Sequence, residues 1–279
     1  MIRTLFVAAA VAALLSDPQV EAARARYRAD AWPMGARKAG VALASLSVPG
    51  FANVAIPGSA SSIELDATGT VVTRRFADAS GKPSFAVDVQ VAEDAAAAHE
   101  ALLVQLAYVS SPGVVPSASS VGIPLGDAGY VGFATAERDR ISWIAFARGN
   151  VQVRVSSFDP TASHPADLSA VARAIDAAIV AAPAVGAGVA VPRPSFTKLA
   201  APKTSCVAGE NLALSADAGG AELFWNVGGS GLAYVETAPG GSPVLHTTGS
   251  GHISLTAYAV SAMSTTRAKT IEIEVAPKR

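Results

Sequence analysis

Two strand-like runs, VVTRRF at 71–76 and SFAVDVQV at 84–91, flank Asp78, Ala79, Ser80 and Gly81. Residues of that kind favour tight turns, so the stretch predicts a hairpin. The second run alternates, which puts Phe85, Val87, Val89 and Val91 on one face and Asp88 and Gln90 on the other. Asp94 stands where a helix cap is needed, and Ala98, Leu102, Leu106 and Val109 then recur at helical spacing through 95–109. A loop rich in Ser, Pro and Gly occupies 110–126. Beyond it, apolar runs at 141–147 and 151–157 flank Arg148, Gly149 and Asn150, a second hairpin signal. Leu168, Val171, Ala172, Ile175 and Ile179 mark a helix over 166–182. Hairpin, helix, hairpin, helix predicts an α+β domain over 41–182, an antiparallel sheet with helices packed on one face.

Residues 183–194 (PAVGAGVAVPRP) have linker composition. Past them, short β-rich runs recur at 196–200, 211–216, 221–227, 232–236, 244–248, 253–260 and 270–275. Seven runs in about 85 residues is the number expected of an all-β sandwich. The stretches AGENLALSA (208–216), LFWNV (223–227), GSGHISLTAYAV (249–260) and TIEIEV (270–275) resemble bacterial immunoglobulin-like domains. The resemblance covers the C-terminal third, 195–279. It implies that Leu214 and Leu255 occupy the places of the inter-sheet cysteines of antibody domains and that Trp225 is the buried strand-C tryptophan across them. Such domains serve as spacers, adhesion modules and binding modules.

At the N-terminus, Arg3, the apolar run 5–15 and the small-residue pattern ending at Ala22 read as a secretory signal peptide over 1–22. The run is shorter than the about 20 residues a membrane span needs. Arg24, Arg26 and Arg28 follow closely, which gives an uncleaved anchor some support. An arm over 23–40 carries those arginines with Arg37 and Lys38, read as a solvated face in preference to an anionic-surface contact. Alanine-rich composition with a simple signal points to a bacterial protein of the periplasm or cell exterior. With 22 acids against 21 bases, a net charge of −1, no global field selects a nucleic acid. Apolar residues make up 51%, which excludes a disordered chain. The single cysteine, Cys206, excludes an intramolecular disulfide and reads as a buried small hydrophobe.

Candidate chemistry is sparse. His99 and Glu100 begin a zinc-protease pattern, but Leu103 holds the second histidine's place. Gly81 and Lys82 end like a phosphate loop, with Phe76 where the first glycine belongs and Pro83 in place of the hydroxyl. Asp66 to Thr70 reads as a polar turn, and Gly186 with Gly188 lacks a third glycine. His164 with Ser163, Asp159 and Asp167 contains the parts of a nucleophile set, though a helix start explains them better. His246 and His252 flank a glycine turn, where a two-ligand metal site is conceivable and exposed hairpin residues are preferred. Trp143, if exposed, is a ligand contact, and Trp32 docks the arm.

No catalytic, cofactor-binding or metal residue is therefore assigned. The sequence reads as an exported, non-catalytic cell-envelope protein for binding, adhesion or assembly. Its partner is a protein or envelope component, with no cofactor, no nucleic acid and no integral membrane span after signal removal. The alternative is an exported hydrolase with its active site on the α+β domain.

Overall fold

The computed structural model describes residues 17–54, 63–66, 68–109, 114–160, 166–229, 231–237 and 241–278. The apolar run 5–15 and His164 with Ser163 lie outside the described residues. The described residues are mostly β, with three α-helices among them: α1 (Pro18–Tyr27), α2 (Ala95–Ala107) and α3 (Leu168–Ala181). No helix among the described residues is long and apolar enough to cross a membrane. Two compact units form. The first comprises the chain up to Val41, Leu46–Ala52 and Arg75–Val191; the second comprises Ala42–Ser45, Asn53–Arg74 and the chain from Pro192 onward.

Seven strands make one sheet: β1 (Ala52–Asn53), β2 (Ile63–Leu65), β3 (Val71–Ala77), β4 (Pro83–Val91), β5 (Ala128–Phe133), β6 (Ile141–Arg148) and β7 (Val151–Ser157). Their order is β1-β3-β4-β7-β6-β5, with β2 paired to β3. The Asp78 carboxylate closes the first hairpin by accepting from the backbone N–H of Ser80 at 2.9 Å and of Lys82 at 3.1 Å. Strand β5 was not expected, because two glycines interrupt its apolar pattern. Gly132 is needed there: a Cβ at that position would lie 2.1 Å from the Trp143 indole nitrogen.

The helices do not share a face, which corrects the one-face expectation. Alternation along β6 sends Ala145 and Ala147 to one side and Ile144, Phe146 and Arg148 to the other. Helix α2 lies on the alanine side, where Ala98, Leu102, Leu103 and Leu106 form one core with Tyr130, Ala145 and Ala147. Gln105 of α2 accepts there from Gln152, whose register partner is Ala147. Helix α3 takes the opposite side, where Arg148 binds its Asp176. Hydrophobic spacing identified both stripes, but the choice of face depends on which strand residues have partners left to cover.

Asp94 is the cap the sequence predicts, while the caps at Asp167 and Asp17 were not read from it. Asp94 accepts from Ala97 N–H at 2.8 Å, and Asp167 from Ser169 at 3.0 Å. In α1, Asp17 accepts from Gln19 N–H at 2.8 Å and Pro18 opens the first turn. This helix runs through the Ala22–Ala23 bond, and Val20, Ala23 and Tyr27 are buried against α2. Arg24 holds Glu100 of α2 with both carboxylate oxygens, at 2.6 and 2.8 Å.

The turn between β6 and β7 gathers the unit. Asn150 is completely buried; its Oδ1 accepts from Lys38 N–H at 2.6 Å, and its Nδ2 donates to Ala92 O at 2.9 Å and Lys38 O at 3.1 Å. Gly149 has φ +53°, and a Cβ there would lie 2.0 Å from the Ala36 carbonyl oxygen. The linker composition of 183–194 is misleading, since its first part is tied down. Arg37 donates to Gly186 O at 3.1 Å and Val189 O at 2.7 Å, and Val191 is buried.

The second unit holds β8 (Lys198–Ala200), β9 (Ser205–Val207), β10 (Asn211–Ala213), β11 (Ser215–Asp217), β12 (Glu222–Gly228), β13 (Ala233–Glu236), β14 (Val244–Thr247), β15 (Gly251–Val260) and β16 (Thr266–Ala276). They pair as β11-β8, β10-β14-β13 and β12-β15-β16-β9, antiparallel except for β9 on β16. One apolar core draws on both larger sheets: Leu212, Leu214 and Leu245 meet Ile253, Leu255 and Ile273.

Replacing Asn150 by alanine strands two carbonyls and one N–H in a buried turn. Asn150→Ala is expected to lower stability by about 3 kcal/mol, against less than about 0.5 kcal/mol for exposed Asn226→Ala. Urea midpoints of the two variants check this.

Candidate functional site

Strand β12 sets the strongest candidate. Its inward positions Leu223, Trp225 and Val227 pair in register with Ala259, Ala257 and Leu255 of β15. Trp225 packs against the apolar core of the second unit, which includes Leu214 and Leu255, but stays half-buried, a correction to the expected fully buried tryptophan. The uncovered part of the residue lines an open cleft of about 480 Å³. Its other walls are Leu214, Ser215, Ala216 and Asp217, Lys198, and Thr237, Gly241, Ser242 and Pro243.

Lys198 and Asp217 are register partners on β8 and β11, so a cation and an anion stand side by side at one wall. The backbone N–H of Gly219 and then the Thr197 hydroxyl hold the Asp217 carboxyl below its ordinary value, keeping it anionic. Three hydroxyls, one charge of each sign and an indole make a surface that can hold and orient a ligand. A volume in the range of small-molecule sites fits the same use.

The other sequence candidates resolve into structural roles or separate positions. Cys206 is buried, and burial, with Glu210 nearby, pushes its thiol up and away from the reactive thiolate. His246 and His252 lie on different sheets, so they are not a ligand pair. His246 stacks on Tyr234 with ring centroids 4.8 Å apart and its Nε2 is 3.1 Å from Glu236. His252 is exposed between two carboxylates, Nδ1 2.6 Å from Glu274 and Nε2 2.9 Å from Glu272. Asp66 accepts from the N–H groups of Thr70 and Val71 at 2.8 Å each, the turn the sequence predicts.

Asp127 and Asp176 are far apart in sequence and meet around Arg148, an assembly that no linear motif reports. Arg148 Nη2 lies 2.8 Å from Asp176 and Nη1 3.7 Å from Asp127, while Asp127 also accepts from Gly149 N–H at 2.5 Å. The carboxylates are bridged by a guanidinium, which makes them a clamp on the turn and removes them as an acid and base pair. Three of the arm's five basic residues are likewise committed: Arg24 to Glu100, Arg37 to Glu93 O at 2.7 Å, Lys38 to Val180 O at 2.7 Å, while Arg26 and Arg28 are exposed.

Trp32 docks on the first unit. Its indole N–H donates to the Tyr130 hydroxyl at 3.1 Å, and its ring stands perpendicular to that of His99 at 5.4 Å. With Ser117, Ser119, Asp127 and Tyr130 it lines a second cleft of about 250 Å³. Trp143 lies half-buried against the α2 core. Sequence reasoning singled out Trp225 as core, and nothing in the sequence marked Lys198, Ser215 or Asp217, which are ordinary strand and turn residues until folding sets them around it.

No family model matches the chain, and no curated protein matches it significantly.

The two glutamates raise the His252 pKa above its ordinary value, Glu274 contributing most. A raised folded pKa adds stability that is fully present below about pH 6.5 and is lost as pH rises through the folded value. The gap in denaturation midpoint between wild type and His252→Gln is therefore expected at about pH 6 and to narrow by about pH 9. Titration of the His252 ring by NMR locates the transition.

Proposed function

We propose that this is an exported bacterial cell-envelope protein that binds an envelope component without chemical turnover, through the cleft beside Trp225. The observation that carries this reading is the half-buried tryptophan in an open, mixed apolar and polar cleft. An aromatic residue flanked by hydroxyls, a cation and an anion suits a ligand with an apolar ring face and several polar substituents, as in an envelope glycan.

The C-terminal unit is read as an immunoglobulin-like sandwich. Its strand order supports this: β8, β11 and β10, β14, β13 run as A, B, E, D, and β12, β15, β16 as C, F, G. Leu214 and Leu255, both buried, then stand at the disulfide positions beside Trp225. The non-catalytic reading draws support from the clamped Asp127 and Asp176 and from the buried Cys206 thiol.

Export is read from the N-terminal segment, with one change. Removal after Ala22 would take away the Asp17 cap, the Asp17 contact with Tyr108 and buried Val20. The reading therefore puts the processed end before Asp17. Intact mass of the protein from the envelope fraction is expected to retain Asp17 and to lack Met1; a product beginning at Ala23 defeats this.

Soluble envelope glycan fragments are expected to change tryptophan fluorescence saturably in the full chain. Trp225→Ala should weaken binding at least tenfold, about 1.4 kcal/mol. Glycans that bind neither protein, or both equally, overturn the reading.

A further inference from the structure

The first unit contains a buried ionisable group that no role described so far uses. His99 is 5% exposed, and neither ring nitrogen has a hydrogen-bond partner. A buried polar group without a partner destabilises the state that buries it. One neighbour of the imidazole is Trp32, which belongs to the N-terminal arm. Another anchor of the arm, Arg24, sits on Glu100, the next residue of the same helix. These two polar and aromatic contacts fall on one turn of α2, beside the apolar contacts of Val20, Ala23 and Tyr27 and the Trp32 bond to Tyr130.

We propose that residues 18–32 form an acid-released arm, docked while His99 is neutral and set free when His99 takes up a proton. The docked state seals His99, whereas the released state opens it to water. An imidazolium in the sealed site has no group to accept its N–H hydrogens, so protons bind preferentially to the open state. The charged and titratable groups around His99 do not reverse this preference. Glu100, on the same helix, is engaged by Arg24 of the arm. Asp127 attracts the imidazolium but already accepts from Gly149 N–H and lies beside Arg148. The phenols of Tyr130 and Tyr27 are close to the site, with the Tyr130 ring packed edge-on to that of Tyr27, and burial raises the Tyr130 pKa further. Burial outweighs the two carboxylates and lowers the His99 pKa below 6.5.

The sign follows from linkage. A depressed folded pKa leaves docking unaffected above the ordinary imidazole value of about 6.5 and weakens it as pH falls below that value. Each further pH unit shifts the equilibrium toward release by at most about tenfold, until the docked form itself is protonated. Carboxylates ordinarily titrate near 4.3, so the interval from about pH 7 to 5 separates imidazoles from carboxylates, and of the described histidines His99 is the one against Trp32.

The chain has three tryptophans, and so gives three indole N–H resonances in a spectrum of the ¹⁵N-labelled full chain. Between about pH 7 and 5 the Trp32 indole and the amides of 18–32 are expected to move to unfolded positions while those of Trp143 and Trp225 stay. The midpoint should coincide with titration of the His99 ring. His99→Phe should keep the arm docked across the interval. Glu100→Gln should release it at a higher pH, because it removes one anchor and leaves the sensor. If His99→Phe does not fold, wild-type coincidence and the Glu100→Gln shift decide. The proposal is overturned if the arm stays docked at pH 5, if His99 titrates with Trp32 in place, or if Glu100→Gln abolishes the pH dependence.

Discussion

The β6–β7 turn at Arg148, Gly149 and Asn150 is the constraint on which the first unit depends. Three consecutive residues reach four separate parts of the chain: Arg148 to Asp176 of α3 and Asp127 before β5, Gly149 to Asp127, and Asn150 to Lys38 and to Ala92 ahead of α2. The geometry admits little else. Gly149 occupies the left-handed region with the Ala36 carbonyl against its Cα, so a side chain there meets backbone as well as strain. Asn150 has donors and an acceptor on one planar amide, the combination needed to satisfy an N–H and two carbonyls without water. A turn that would ordinarily be a solvent-exposed hairpin end is thereby made the place where sheet, helices and arm agree on register.

That registration explains why an alanine-rich arm is ordered at all. Helix α1 is only ten residues long, short for an isolated helix in water, and its exposed side has little to add. Val20, Ala23 and Tyr27 on one side and the Arg24 pair on another supply the tertiary contacts that hold it. Two of the arm's contacts, Trp32 on His99 and Arg24 on Glu100, meet neighbouring residues of α2. Burying an imidazole without a partner weakens the docked state, and this weakness is what makes the arm sensitive to protons.

The second unit solves a different problem. With one cysteine and so no internal disulfide, it joins its two larger sheets largely by apolar contact, which Leu212, Leu214, Leu245, Ile253, Leu255 and Ile273 supply. Trp225 belongs to this core and also reaches past it. Its register partner and the next inward residue of β15 are alanines, Ala257 and Ala259, so the inward face of the second sheet is low there. The largest side chain of β12 therefore stands at an opening between walls, serving packing on one side and the cleft on the other.

The sequence by itself determined the elements that local patterns mark. The Asp94 cap, the stripes of α2 and α3, the turns at Asp78 and Gly149 and most strands of the second unit depend on neighbours within a few residues, which a linear pattern records. Strand β5 escaped because Gly132 answers to Trp143 on the adjacent strand, and Gly129 to Leu125, Phe146 and Ala118, none of which a linear pattern places beside them. Only the tertiary structure decided the faces: α2 and α3 went to opposite sides of the sheet because alternating residues of β6 each need cover, and a stripe carries no sign of which side it will meet. The cleft was illegible for the same reason. Lys198, Asp217 and Trp225 come from three strands, and their proximity is fixed by pairing and packing across the unit, to which spacing along the chain is blind.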